Sequence, residues 1–265
     1  MRWGARIGVA ILASLLVAWI ASLLSGYDVV ADVDPGRAGL PPGAAHWLGT
    51  DQLGRDFFSR LLFGLRNSLA LALATTFVSA LTGTAAGLLA AAAGRWVDMA
   101  LSRLVDVIMA MPGLIFALML LAVFGSGAVQ LVLVIGLLDA TRIFRICRAL
   151  AMREAATDYV EAARLRGEGL AYVMTREILP NMKGPLLAEV GMRFSFVFLT
   201  IATLSFLGLG LPPPAADLGS LVRENASLLA YGDFTPLIPA AVVALLAMSV
   251  NVLLDGATAG EEGAP

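Results

Sequence analysis

The residues that could carry out chemistry are few in this chain, and they lie far apart. His46 is the only histidine and Cys147 the only cysteine. One thiol cannot form a disulfide within the chain, and a lone histidine lacks the neighbouring ligands that a metal site needs. A polytopic membrane enzyme would need reactive groups clustered near one face. We therefore expect no bound metal or catalytic centre, and a packing or docking role for His46.

The sequence also lacks a site for nucleotide chemistry. A phosphate-binding loop requires Gly-Lys-Ser or Gly-Lys-Thr, whereas the only lysine, Lys183, follows Met182 and precedes Gly184. Phosphoryl transfer needs such a cradle and metal ligands, so ATP hydrolysis is expected only on other subunits. The net charge of -2 argues against nucleic acid, whose phosphates attract basic surfaces.

Charged residues inside apolar runs are the remaining candidates for chemistry. Asp139 could be an ion or proton site, because a charge in hydrocarbon is costly. Arg142 follows it by three residues on the same helical face, which favours an ion pair instead. Asp106, Glu189 and Arg193 are likewise expected to form interfacial pairs. Three glycines are predicted to allow close helix packing: Gly83, Gly87 and Gly136.

Long apolar runs define the elements that position these residues. Of the 265 residues, 59% are hydrophobic and 14% are charged, against about 25% charged in soluble domains. Crossing a bilayer takes about 20 apolar residues in a helix. The sequence predicts an all-α polytopic membrane protein with six spans: Ile7 to Leu24, Leu69 to Ala93, Leu104 to Phe124, Ala128 to Phe144, Leu186 to Leu211 and Pro236 to Leu254. The break Gly125-Ser126-Gly127 predicts a tight turn between the third and fourth.

Basic residues predict the orientation, since Lys and Arg are retained on the cytoplasmic side. With the N-terminus inside, most of the 18 basic residues lie on the inner side. These are Arg2, Arg6, Arg95, Arg103, Arg142, Arg145, Arg148, Arg153, Arg164, Arg166, Arg176, Lys183 and Arg193. The first run lacks an obvious cleavage site and is interpreted as an anchor. Both termini are predicted to be cytoplasmic.

The longest inner connection, Arg142 to Pro185, shows a helix-turn-helix pattern. Asp158 and Glu161 fit a capping box at the start of the first helix. Four residues are predicted to share one face of it: Tyr159, Ala162, Ala163 and Arg166. Gly167 and Gly169 should end this helix, and Pro180 should stop a second one that begins near Leu170.

These residues also resemble a known family. Glu161-Ala162-Ala163, then Gly167, then Ile178-Leu179-Pro180 is similar to the EAA loop of binding-protein-dependent ABC importer permeases. The segment from His46-Trp47-Leu48-Gly49 to Ser59-Arg60 and the stretch Ser205 to Gly210 are similar to the signatures of the peptide and nickel permease subfamily, in its "C"-type subunit. Leu218-Gly219 stands where that family usually has Trp-Gly, and the C-terminus lacks the usual basic extension.

The resemblance implies a type I ABC importer permease, with about six transmembrane helices and a cytoplasmic coupling-helix loop. It implies an ATPase-coupling role for Asp158, Tyr159, Glu161, Ala162, Ala163, Arg166, Gly167, Leu179 and Pro180. The family-signature residues are Gly49, Thr50, Asp51, Gly54, Arg55, Asp56, Ser59, Arg60, Gly208 and Gly210. The small Ala162 and Ala163 would let a helix enter a groove of the ATPase. The substrate-binding residues are not predicted.

The resemblance also implies the other subunits of the transporter and the membrane in which it lies. The partners are a homologous but non-identical permease, two cytoplasmic ATPases that hold ATP and Mg, and an extracytoplasmic solute-binding protein, in the bacterial inner membrane. The resemblance implies that residues 1–68 form an N-terminal anchor helix and a periplasmic loop, 69–256 the transmembrane permease domain with its EAA loop at about 150–185, and 257–265 a short cytoplasmic tail.

The sequence leaves two classes of solute as alternatives. The resemblance implies import of di- or oligopeptides, with nickel or a metal chelate as the alternative. A secondary transporter driven by an ion gradient is an alternative of another kind. It would need broken helices and buried charges in repeat-related positions, and we find no such paired breaks.

Overall fold

The computed structural model describes residues 32–261 without a gap, together with the helical positions 13, 14, 17, 19 and 20. Side chains are described as far as residue 253. The predicted first span, Ile7 to Leu24, lies outside the described residues apart from those five positions. Arg2 and Arg6 lie outside them as well.

Helices account for nearly all regular structure between residues 32 and 261. In chain order they are α1 (Phe57–Ala92), α2 (Arg95–Met109), α3 (Gly113–Phe124), α4 (Ala128–Ala155), α5 (Asp158–Leu165), α6 (Leu170–Leu209), α7 (Leu218–Asn225) and α8 (Leu237–Glu261). Short 3-10 turns lie at Pro35–Arg37 and Ala226–Tyr231. The described residues form no strand, only one isolated bridge between Thr50 and Asp56. The all-α prediction is confirmed.

Two described helices are long and apolar enough to cross a bilayer by themselves. They are α1, with 36 residues, and α6, with 40, and they carry the predicted second and fifth spans. The apolar part of α8, Leu237–Leu253, is shorter and covers most of the predicted sixth span. The predicted fourth span forms the first part of α4, which continues past Phe144 to Ala155.

The predicted third span, Leu104 to Phe124, is wrong as a single straight helix. α2 ends at Met109 and α3 begins at Gly113, and the two are bent by 88°. Pro112 lies in the break, has no N–H to donate and disfavours helical backbone at Met111. Its carbonyl accepts a hydrogen bond from the N–H of Phe116 at 3.0 Å, which begins α3. If this bent pair counts as one span, three described helical segments meet the length and apolarity expected of a span.

Contacts divide the chain into two compact units. The first comprises the described parts of Met1–Ala72, Phe124–Gln130 and Phe198–Pro265. The second comprises Leu73–Val123 and Leu131–Val197. The core of the second unit draws residues from α1, α4, α5 and α6: Leu88, Ile143, Cys147, Ala151, Val160, Ala163, Val173, Ile178, Met182 and Leu186.

Glycines let α1 and α4 approach closely within the second unit. A Cβ added to Gly87 would lie 2.8 Å from the Cβ of Cys147, and one added to Gly83 would lie 2.7 Å from the carbonyl oxygen of Ala140. A Cβ on Gly136 would lie 3.0 Å from Cγ1 of Val78. Any larger residue would push the helices apart, so the predicted packing role of these glycines is confirmed.

Candidate functional site: the coupling loop and the signature segment

The coupling loop (residues 150–185) contains α5, which begins one residue earlier than the capping-box prediction requires. Thr157 is the N-cap, with extended backbone, and its carbonyl accepts from the N–H groups of Val160 and Glu161 at 3.1 and 3.2 Å. Its hydroxyl donates to the carbonyl oxygen of Glu154 at 2.6 Å. The prediction of a capping box at Asp158 is wrong, because Asp158 is already the first helical residue. Asp158 and Glu161 both lie in the first turn, where negative charge favours a helix.

A Schellman turn ends α5 at Gly167. The N–H of Gly167 donates to the carbonyl of Arg164 at 2.9 Å, and the N–H of Glu168 donates to that of Ala163 at 3.2 Å. Gly167 has φ +82, and no atom lies within 4 Å of where its Cβ would stand. Conformation alone therefore requires glycine here. The predicted turn at Gly167 is confirmed.

The two sides of α5 differ sharply in exposure. Val160 and Ala163 are fully buried in the core of the second unit. Glu161 and Ala162 are exposed, and Leu165 is 82% exposed. The predicted shared face is therefore wrong at Ala163, whose small size serves packing inside this chain. The surface that α5 leaves open consists of Asp158, Tyr159, Glu161, Ala162, Arg164 and Leu165, and the exposed C-cap residue Arg166 extends it.

The second helix of the coupling loop does not stop at Pro180. It continues from Leu170 to Leu209 as α6, so the predicted stop is wrong. Residues Val173–Ile178 are wound as a π-helix, and the N–H of Leu179 donates to the carbonyl of Met174, five residues back. In an α-helix, a proline ring clashes with the carbonyl group four residues earlier. The wider π-helical turn before Pro180 relieves that clash. Pro180 is exposed and Leu179 half-buried.

Ion pairs hold the coupling loop and the helices that enter it. Arg166 lies 3.5 Å from Glu177, which links the end of α5 to α6. On α4, Arg148 pairs with Asp98 through two hydrogen bonds, and Arg145 donates to Asp106 at 2.8 Å. These pairs join α4 to α2. The predicted pairing of Asp106 is confirmed, and its location at the membrane interface stays a prediction.

A second group of charges lies where α4 and α6 pack. Asp139 is buried, with Arg142 at 3.4 Å and Arg193 at 3.8 Å, and Arg193 lies 2.7 Å from Glu189. The Arg193–Glu189 contact is close but poorly aligned, since neither atom completes a hydrogen bond. The predicted pairing of Asp139 with Arg142 is confirmed, and Glu189 and Arg193, each predicted to be in an ion pair, lie against one another.

The signature segment (residues 46–60) folds around the carboxylate of Asp51. Oδ1 accepts from the backbone N–H of Leu53 and Arg55, at 2.8 and 2.9 Å. Oδ2 accepts from Nε of Arg55 and from Nη1 of Arg60, each at 2.8 Å. Four donors leave this buried carboxylate saturated. Gly49 and Gly54 turn the chain here, with φ of +76 and +75.

Asp56 anchors the other end of the signature segment. Its Oδ1 lies 3.0 Å from Nδ1 of His46, and its Oδ2 accepts from the N–H of Ser59 at 2.8 Å, at the start of α1. Burial alone would raise the pKa of Asp56, but the hydrogen bonds from Ser59 and His46 outweigh it and lower the pKa below its ordinary value. Across the described residues, no three or more His, Cys, Asp or Glu side chains group as metal ligands.

The signature segment and the first turns of α1 are joined to α7 and to the loop before it by contacts that the sequence analysis missed. Nη2 of Arg60 donates to Glu224 at 2.9 Å, and Ser68 accepts from the N–H of Leu218 at 2.9 Å. Asn67 donates to the carbonyl of Ala216 at 2.7 Å. These partners are more than 140 positions apart in the chain, so no local pattern could have predicted them.

Asp217 begins α7 with a true capping box. Its side chain accepts from the N–H of Ser220 at 3.0 Å, and the Ser220 hydroxyl pairs with the N–H of Asp217 at 2.9 Å. Burial raises the pKa of this carboxyl, against the hydrogen bonds that lower it. The spacing Asp-x-x-Ser was the signal in the sequence that could have predicted this capping box.

Both glycines predicted as signature residues at the end of α6 lie in tight or left-handed turns. A Cβ on Gly210 would lie 2.8 Å from Oδ2 of Asp217, and Gly208 has φ +94.

The fold resembles that of a solved ABC transporter. The likeness is to a crystal structure described as an amino acid ABC transporter with histidines, with a TM-score of 0.56 over 74% of this chain and 91% of that chain. The identity is 24%, so the likeness concerns the fold alone. Together with the helices described above, this likeness confirms the predicted fold class, the all-α fold of a type I permease.

The sequence shows the family directly. The profile of the binding-protein-dependent transport system inner membrane component matches residues 83–259, more than half of the chain, and the chain belongs to that family. A glutathione transport system permease protein, GsiD of Pectobacterium atrosepticum, is 33% identical over 249 residues, covering 94% of this chain and 83% of the relative.

Other relatives extend over most of the chain. A putative peptide transport system permease protein of Brucella suis is 38% identical over 216 residues, 82% of this chain and 73% of its own length. The dipeptide transport system permease protein DppC of Haemophilus influenzae is 31% identical over 264 residues, 96% of this chain and 88% of the relative. The chain is thus an inner-membrane transport permease, and the family resemblance seen in its motifs is confirmed.

Proposed function

We propose that this chain is one of two non-identical permease subunits of an ATP-driven importer of di- or oligopeptides. The relatives support the solute class, since those named above are described as glutathione, peptide and dipeptide permeases. An extracytoplasmic binding protein delivers the solute. Two cytoplasmic ATPases bind ATP and Mg, and this chain contributes no catalytic group. Both termini face the cytoplasm.

The exposed side of α5 is the observation that carries the mechanical part of this proposal. Glu161, Ala162 and Leu165 face outward, although Leu165 is a large apolar residue that water does not favour. An exposed apolar side chain next to a carboxylate suits a partner surface with an apolar pocket and a basic rim. We assign that surface to the ATPase.

The inner side of α5 explains how motion would pass into the spans. Val160 and Ala163 pack with Ile178 and Met182 of α6 and with Cys147 of α4. A close-packed core transmits displacement because its side chains have no room to yield. Closure of the ATPases on ATP would then move α5 together with α4 and α6, and hydrolysis would reverse the shift.

Reconstitution tests this function. The chain should copurify with a second permease and with ATPase subunits, and the assembled complex in proteoliposomes should take up labelled dialanine only with ATP and binding protein. Nickel chloride serves as the alternative solute, and a proton or sodium gradient without ATP as the alternative energy source. Uptake driven by the gradient alone would contradict the proposal, and nickel uptake without dialanine uptake would replace its solute.

A further inference from the structure

A pocket of about 360 Å³ opens in the first unit between the signature segment and the loop and helix around α7. Its charged lining consists of Asp51, Arg55, Arg60, Arg223 and Glu224. The coupling mechanism does not use these residues. The volume falls within the range of about 300–1,000 Å³ that small-molecule sites occupy.

The arginines of the pocket outnumber its carboxylates. Both oxygens of Asp51 are already saturated by Arg55, Arg60 and backbone donors. Arg60 is 2% exposed, and its Nε has no hydrogen-bond partner although it is buried. A buried donor without an acceptor is unfavourable, and native structures leave few of them without a reason.

Two further guanidinium groups face the same space with donors to spare. Arg55 uses its Nε on Asp51, and its terminal nitrogens have no partner among the described residues. Arg223 forms no ion pair or hydrogen bond with any described residue. Three arginines therefore line the pocket against two carboxylates, and one of these, Glu224, is partly exposed and engages Arg60 only.

We propose that this pocket binds a carboxylate group from outside the chain. The planar fork of a guanidinium matches a carboxylate in two parallel hydrogen bonds. The burial of Arg55 and Arg60 strengthens such charged bonds, whereas Arg223 is exposed and reaches the carboxylate from the rim of the pocket. An incoming carboxylate satisfies the spare donors of Arg55 and Arg223 and lies beside the unpaired Nε of Arg60. The resident Glu224 competes for Arg60, so it sets the affinity of the pocket.

The carboxylate has two possible sources with the same chemistry. One is the C-terminal carboxylate of a transported peptide, and this source rests on the proposed function. The other is an acidic side chain of the delivering protein, inserted when it docks. Both require the pocket to lie on the outer side, as predicted for the signature segment.

The test uses the assembled transporter in lipid nanodiscs and three variants. Arg223→Gln removes a spare donor, Glu224→Gln removes the resident competitor, and Arg37→Gln makes the same charge change as the first at an exposed arginine outside the pocket. Binding of acetate, dialanine and dialanine amide is measured by saturation-transfer NMR. Affinity for the binding protein, with and without dialanine, is measured by surface plasmon resonance.

Opposite signs are expected from the two pocket variants. Arg223→Gln should weaken carboxylate binding about 10-fold, the equivalent of one charged hydrogen bond, whereas Glu224→Gln should strengthen it and Arg37→Gln should leave it unchanged. If dialanine responds and its amide does not bind, the source is the peptide terminus. If binding-protein affinity responds with or without dialanine, the source is the docking protein.

Failure of the inference is distinct from failure of the proposed function. If wild-type complex imports dialanine, and neither the small carboxylates nor the binding protein responds to both pocket variants with opposite signs, the pocket is only structural and the inference is overturned. If wild-type complex imports no peptide, but acetate binding still shows those opposite responses, the proposed function fails and the carboxylate site stands.

Discussion

The coupling loop and the signature segment are both rich in charge, yet they use it in opposite ways. In the signature segment, Asp51 and Arg60 are buried and joined to one another, and Arg60 reaches across to Glu224. In the coupling loop, Glu161 and Arg166 are exposed. Among the described residues of this loop, the one ion pair between the end of α5 and α6 joins Arg166 to Glu177 over 3.5 Å.

The difference separates buried residues that stabilise the fold from exposed residues that are available to a binding partner. Removing one charge of a buried ion pair leaves the other charge buried with no opposite charge and no water around it, so the substitution lowers the stability of the fold. Changing an exposed residue affects stability little, so the penalty falls on whatever binds there. Stability and transport should therefore respond to different sets of substitutions, and four variants test that separation.

The largest effect is expected from Arg60→Gln. It removes a charge shared by Asp51 and Glu224, and breaking such a buried pair typically costs about 3–5 kcal/mol. The melting temperature of purified protein in nanodiscs should fall steeply. Arg37→Gln, whose ion pair with Asp34 is half exposed, is the control and should change it little. Equal melting temperatures for both variants would remove the contrast between the two regions.

Leu165→Glu should reduce transport strongly without loss of stability. The side chain is 82% exposed, so folding tolerates the charge, whereas a contact with an ATPase pocket would lose about 2 kcal/mol and uptake about 30-fold. ATP-dependent uptake and ATPase copurification measure the effect. Leu229→Glu, at a 44% exposed leucine of the other unit, controls for the added charge. Normal uptake by Leu165→Glu would argue against docking through α5.

Gly167→Ala should weaken the end of α5 by about 1–2 kcal/mol, because a Cβ is strained at positive φ. Nothing lies where the Cβ would stand, so crowding adds nothing. Hydrogen exchange of the α5 amides should rise. Gly169→Ala is the matched control, since Gly169 also has open space but an ordinary φ of -70. Equal exchange in both variants would show that the Schellman turn carries no strain.

The smallest effect concerns Asp56 and pH. Its pKa is lowered from 3.8 in the folded protein, so its stabilising contribution is present above pH 3.8 and is lost as pH falls through the lower folded value. Asp56→Asn should lower the melting temperature at pH 7 by the equivalent of under about 1 kcal/mol. The difference from wild type should shrink at pH 3. A difference that stays constant with pH would mean that the charge of Asp56 is not involved.

Local patterns predicted the helices well and their ends poorly. The turn at Gly167 and the break at Gly125 to Gly127 follow from glycine chemistry, which acts over a few residues. Pro180 misled the prediction because a π-helix accommodates it, and such a winding leaves no mark in the sequence. The capping box was misplaced because Thr157 and Asp158 are adjacent and both are good N-caps.

Long-range features lay beyond sequence reasoning. The ion pair of Arg60 with Glu224 joins residues 164 positions apart, so only the folded chain brings them together. Ala163 was assigned to a partner because small residues suit both an internal core and an external groove. Exposure decides between these two uses, and a single sequence does not contain it.

The continuity of α6 has a simple geometrical consequence. Forty residues at about 1.5 Å each extend about 60 Å, whereas the hydrocarbon layer is about 30 Å thick. The helix is therefore longer than the hydrocarbon layer is thick, and we expect its charged end to lie outside the lipid tails. The end that begins at Leu170 carries the charged residues Arg176, Glu177 and Lys183, whose side chains favour an aqueous environment. A displacement applied at that end would pass along one helix, through the π-wound turn Val173–Ile178 and past Pro180 and Pro185, and would meet no non-helical residue before Gly208.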